Sequence, residues 1–108
     1  MIDKTIILGH LHHILKNPEE IFKIASPTND ELELAFFLKP EMARKFENIP
    51  EEVQLAMIKE SVYNVQYIIH PTELVQVHCI EQDPETYKLI NSPTKYSFYI
   101  AHPFMLLP

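Results

Sequence analysis

His10, His12 and His13 form the densest group of metal-ligating side chains in this 108-residue chain. Zinc takes three or four nitrogen or sulfur ligands, and His70, His78, Cys79 and His102 stand elsewhere in the sequence. On a helix, however, positions 10 and 13 share a face and position 12 does not. No His-x-x-x-His with a following Glu occurs and there is no second cysteine, so these histidines read as structural or surface residues. His78 beside Cys79 is the other pairing with chemical potential, as base and nucleophile. Adjacent helical residues point about 100° apart and cannot hydrogen-bond in that way. Cys79 also falls in register with Met57, the place of a small core residue. A phosphate loop and catalytic carboxylates at a defined spacing are missing. Neither catalytic residues nor a cofactor is expected.

Charge narrows the partners. Fifteen acidic residues against nine basic give a formal charge of −6. Direct binding to duplex nucleic acid or to an anionic membrane relies on clustered Lys and Arg, so neither is expected. The acids suit mimicry of nucleic acid, but Glu19, Glu20, Asp30, Glu31, Glu41, Glu51, Glu52, Glu73 and Glu85 each follow a helix-starting proline by one to four residues. A carboxylate there stabilises the positive end of a helix by about 0.3–1 kcal/mol. These nine have a structural reason to exist.

The elements that carry these residues repeat. Pro18, Pro40 and Pro84 are 22 and 44 residues apart, with Val62 in the missing place. Six residues after each comes Ile24, Phe46, Ile68 and Ile90; three residues after each comes Ile21, Ala43, Val65 and Tyr87. Offsets of three and six give one inward stripe on a helix. A second set, Pro27, Pro50, Pro71 and Pro93, opens another helix per unit, with Ser26, Asn48 or Ile49, His70 and Ser92 ahead of it as cap-region residues. Helices are expected near 5–16, 18–25, 28–38, 40–48, 51–60, 62–69, 72–81, 84–91 and 94–101. Residues 74–80 and 96–100 are rich in strand formers, but their register with the helical pattern of 52–58 favours helix. With one glycine in the chain, Asn-Gly hairpins are absent, while nine prolines suit helices started by Pro. The expected fold is all-α: one domain, a small α-solenoid of four to five helical hairpins, with units about 4–26, 27–48, 49–70, 71–92 and a truncated 93–108. Helices this short are unstable alone and must stack.

The run Pro50-Glu51-Glu52-Val53-Gln54-Leu55-Ala56-Met57-Ile58-Lys59, followed by Val65-Gln66-Tyr67-Ile68, resembles short HEAT-like helical-hairpin repeats. Similar repeats occur in many uncharacterised bacteriophage and bacterial proteins. The resemblance extends over about residues 18–103, most clearly in 50–69 and 71–90. Val62 in place of Pro and the truncated last unit depart from it. It implies an α-solenoid with an interaction role, carries no catalytic residue across, and by analogy implies an inhibitor or modulator of a host or defence protein.

The expected function is therefore a non-catalytic protein-binding module, with an acidic nucleic-acid mimic as the alternative. Repeat proteins bind through equivalent positions of successive units. One such row is Phe22, Arg44, Gln66 and Lys88; another is Glu19, Glu41, Tyr63 and Glu85. The tail adds Phe98, Tyr99, Ile100, Ala101, Phe104, Met105, Leu106 and Leu107, an apolar finish where a repeat array normally has a polar cap. It folds back as a lid or contacts another chain, most simply in a homodimer. The partner-binding candidates are Arg44, Gln66, Lys88, Tyr63, Phe98, Tyr99, Phe104, Met105 and Leu106. A single cysteine, no apolar run of spanning length and no signal-peptide pattern at the start point to the cytoplasm, or the host cytoplasm for a phage protein.

Overall fold

Alternation of α and 3₁₀ helices follows from where the prolines and caps fall. The computed structural model describes residues 4–106, with side-chain surroundings from residue 8 to residue 104. The α helices are α1 (Lys4–Lys16), α2 (Asn29–Leu38), α3 (Glu51–Glu60), α4 (Glu73–Gln82) and α5 (Lys95–Ala101). Between and after them run 3₁₀ helices η1 (Pro18–Lys23), η2 (Pro40–Lys45), η3 (Val62–Tyr67), η4 (Pro84–Leu89) and η5 (Pro103–Leu106). No strand occurs among the described residues, so 74–80 and 96–100 are helical despite their strand-forming side chains.

Two sequence expectations are corrected. The second helix of each unit is a six-residue 3₁₀ turn, shorter than the expected 18–25, 40–48, 62–69 and 84–91. Ile24, Phe46, Ile68 and Ile90 are its C-caps, in extended backbone, and each N–H bonds to the carbonyl three residues back. With three residues per turn, offsets of three and six still fall on one side. Ile21, Ala43 and Val65 are fully buried, while in η4 Thr86 takes that depth and Tyr87 is half-buried. Ile68 and Ile90 are buried; Ile24 and Phe46 pack half-buried against the same core.

The second correction concerns the caps of the α helices. Thr28, Thr72 and Thr94, each one residue after a proline, accept the backbone N–H three positions on, and Thr28 with Glu31 forms a full capping box. Ser26, His70 and Ser92 stand outside the helices. Pro50 itself holds the cap position of α3, which explains why the second proline set is spaced unevenly.

The substantial contacts join each element to its own unit or to the next one. Successive α helices touch, each of α1–α4 touches the 3₁₀ helix that follows it, and η2, η3 and η4 touch in turn. The chain measures 59 × 25 × 19 Å, with a radius of gyration of 15.9 Å. A globular chain of this length would have about 13 Å.

Candidate functional site

Before a side chain can serve a partner it must be free of the fold, and several candidates are not. The unit-to-unit junctions use a recurring polar clamp. Gln54 and Gln76 are buried and 22 residues apart. Gln54 Nε2–H donates to the carbonyls of Ile49 (2.8 Å) and His70 (3.2 Å), while its Oε1 accepts the N–H of Thr72 (3.0 Å). Gln76 repeats this, donating to Pro71 (2.9 Å) and accepting from Thr94 N–H (3.0 Å). Each glutamine thus holds the cap residue of the next α helix, 18 residues on.

The other two junctions obey the same logic with different residues. In the second, the register position is Leu32, buried and without an acceptor, and its cap partner is Pro50, which has no N–H to satisfy. In the first, the register position is His10, whose Nδ1 lies 2.5 Å from Glu31 Oε2. Glu31 Oε1 accepts the N–H of Thr28 at 2.7 Å, so His10 reaches the cap residue through a carboxylate. The Glu31 side chain is only 2 % exposed. Burial pushes its carboxyl up, but the bonds from Thr28 and His10 outweigh this and hold it below the ordinary 4.5. His10 is therefore structural. His12 and His13 are exposed, with rings 6.2 Å apart, and no group of three or more described His, Cys, Asp or Glu side chains is placed to share a metal ion.

Cys79 is buried, with Sγ 3.6 Å from the Val62 carbonyl, and burial pushes its thiol up to about 11. It stays protonated at neutral pH, the opposite of what a nucleophile needs.

The 3₁₀ helices carry Arg44, Gln66, Lys88 and Tyr63, each with a contact inside the chain although Arg44, Lys88 and Tyr63 stay exposed. The Arg44 guanidinium lies 4.7 Å from the centre of the Tyr67 ring. Gln66 Nε2–H donates to the Tyr63 carbonyl at 3.0 Å, and Lys88 pairs with Glu85 at 2.8 Å. The Tyr63 hydroxyl donates to Asp83; that bond raises the Tyr63 phenol and lowers the Asp83 carboxyl. Glu19 reaches Lys39 at 2.9 Å in the corresponding place two junctions earlier. Phe22 is exposed but stacks on Phe46 at 5.5 Å.

The C-terminal candidates divide. Phe98 is half-buried against Tyr87 and His102, and Tyr99 is half-buried with Lys95 over its ring. Phe104 is 84 % exposed. The side chains of Met105 and Leu106, and Leu107 as a whole, lie outside the described residues.

The sequence does not single out the exposed apolar residues of the α helices. Leu8 and Leu15 on α1, Phe37 and Leu38 on α2, Leu74 on α4 and Tyr96 on α5 are all exposed. A groove of about 330 Å³ lies between α2 and α3, floored by Leu34, Phe36, Phe37, Ala56 and Met57 and edged by Asp30, Glu33 and Glu60. No helix among the described residues is long and apolar enough to cross a membrane. Comparison with protein-family models, with curated proteins and with solved structures finds no match.

Proposed function

We propose that this chain is a non-catalytic binding module, a short α-solenoid of helical hairpins that contacts another protein through the outer face of its α helices. The observation that carries the reading is the exposure of Leu8, Leu15, Phe37, Leu38, Leu74 and Tyr96 on four of the five α helices; on the 3₁₀ side Phe22 and Tyr63 are also exposed, but they contact Phe46 and Asp83. Large apolar side chains left exposed on several helices are the kind of feature that marks an interaction surface. The extended dimensions and neighbour-only packing support the solenoid arrangement. Structural duties for His10 and Cys79 support a non-catalytic role. The resemblance to phage and bacterial repeats extends the reading to a modulator of a host or defence protein. Mimicry of nucleic acid is the weaker reading, because Glu19, Glu20, Asp30, Glu31, Glu41, Glu51, Glu52, Glu73 and Glu85 all stand in first turns.

The test is capture from an extract of the source cell with three baits. The wild type and a ridge variant (Arg44→Glu with Lys88→Glu) are expected to retain one specific protein. A helical-face variant (Leu15→Glu, Phe37→Glu and Leu74→Glu) is expected to lose it. Loss by the ridge variant alone, or no specific capture by any bait, overturns the reading.

A further inference from the structure

The groove between α2 and α3 combines apolar walls with a charge of one sign. Asp30, Glu33, Leu34 and Phe37 lie at i, i+3, i+4 and i+7 of α2, hence on one face. Leu34 is half-buried, and the Phe37 side chain is 61 % exposed, so both present apolar surface to an incoming group. Among the described residues Asp30, Glu33 and Glu60 have no cationic partner; the ion pairs lie elsewhere, at Glu31, Glu20, Glu19, Glu47 and Glu85. No basic side chain lines the groove. Burial first, then the charges of Asp30 and Glu52, push the Glu33 carboxyl above its ordinary value. Among the described residues no side-chain cation pairs with this negative charge, and a cation placed beside it would relieve the repulsion and offset the cost of burying Glu33.

Arginine satisfies both halves of this surface. Its guanidinium is planar, weakly hydrated, able to bridge two carboxylates and able to lie on an aromatic face, while its stem covers apolar surface. Lysine shares the charge and the apolar stem, but its compact, strongly hydrated ammonium lacks the planar fork that bridges two carboxylates.

We propose that this groove docks an arginine side chain carried by an apolar segment of a partner protein, with the guanidinium between Asp30 and Glu33 and the stem along Leu34 and Phe37. The assignment rests on the reading of the chain as a protein-binding module and names the chemistry it recognises.

The probe is the peptide acetyl-Ala-Leu-Arg-Leu-Ala-amide, titrated into the full ¹⁵N-labelled chain by NMR, beside the same peptide with citrulline, which keeps the shape and removes the charge. Shifts are expected at Asp30, Glu33, Leu34, Phe37 and their neighbours on α3, weakening as salt is raised. Citrulline, or the variant Asp30→Asn with Glu33→Gln, is expected to weaken binding about tenfold, a loss of about 1.4 kcal/mol. Phe37→Ala is expected to weaken it without abolishing the salt dependence. Equal binding of both peptides, shifts centred on the 3₁₀ ridge, or no shifts at millimolar peptide overturns the proposal. If the peptide fails while helical-face variants still lose the captured protein, the groove assignment falls and the binding module stands. If the peptide binds the groove while capture is indifferent to the helical face, the converse holds.

Discussion

Replacing Gln54 by Leu tests the clamp that ties one unit to the next. The side chain makes three hydrogen bonds, to Ile49 O at 2.8 Å, to His70 O at 3.2 Å and from Thr72 N–H at 3.0 Å. Each is worth about 0.5–1.5 kcal/mol net, and a buried group left without a partner costs about 1–3 kcal/mol. Leucine returns some of this through its apolar contact, as at position 32. The expected loss is about 2–4 kcal/mol, read from urea unfolding. The natural Leu32–Pro50 pair supplies a sharper test. Thr72 has φ −69°, which proline adopts without strain. Thr72→Pro alone removes a donor that Gln54 needs and the cap on Val75, costing about 2 kcal/mol. With Gln54→Leu already in place there is no acceptor left to disappoint. The double variant is therefore expected to be about 1–2 kcal/mol more stable than the sum of the single losses. Additivity within about 0.5 kcal/mol would refute the clamp as the reason these residues pair.

Three further expectations follow from single sites. Ile68, 1 % exposed at the end of η3, is expected to lose about 2–5 kcal/mol on replacement by Ala; a loss below about 1 kcal/mol would place it outside the core. Glu31 has a folded pKa below its ordinary 4.5, so its ionised form contributes stability above that value and loses it as pH falls through the folded pKa. Unfolding of the wild type between pH 6 and pH 3 is expected to show a steeper fall than Glu31→Gln; parallel profiles would contradict it. Ser92 holds φ +51°, so Ser92→Gly is expected to raise stability by about 0.5–1 kcal/mol, and a loss would show the turn is not strained.

Much of the architecture is legible in the sequence because proline and small polar caps mark helix starts at a fixed interval. Pro18, Pro40 and Pro84 open 3₁₀ helices where the spacing places them, and Val62 opens the third without a proline because Ser61 caps it. The α or 3₁₀ character was not legible, since a six-residue segment with one apolar face fits either period. Thr28, Thr72 and Thr94 are hard to recognise as caps in the sequence because the prolines beside them are the louder signal. The clamp was visible in principle: Gln54 and Gln76 share a register, and Leu32 replaces them where Pro50 replaces threonine. Recognising it needs the 18-residue pairing between a helix and the next cap, which only the stacked geometry reveals. The exposed helical face was hidden for a different reason. Leu8, Leu15 and Leu74 look like core residues in any apolar pattern, and only neighbours placed in space show that they are exposed.

The proposed solenoid is a stack of units in line, and the shape of the chain in solution tests it most directly. Small-angle X-ray scattering from the full chain, extrapolated to zero concentration, is expected to give an elongated particle with a longest dimension near 59 Å and a radius of gyration near 15.9 Å. A radius near 13 Å, the value of a globular chain of this length, would contradict the stack.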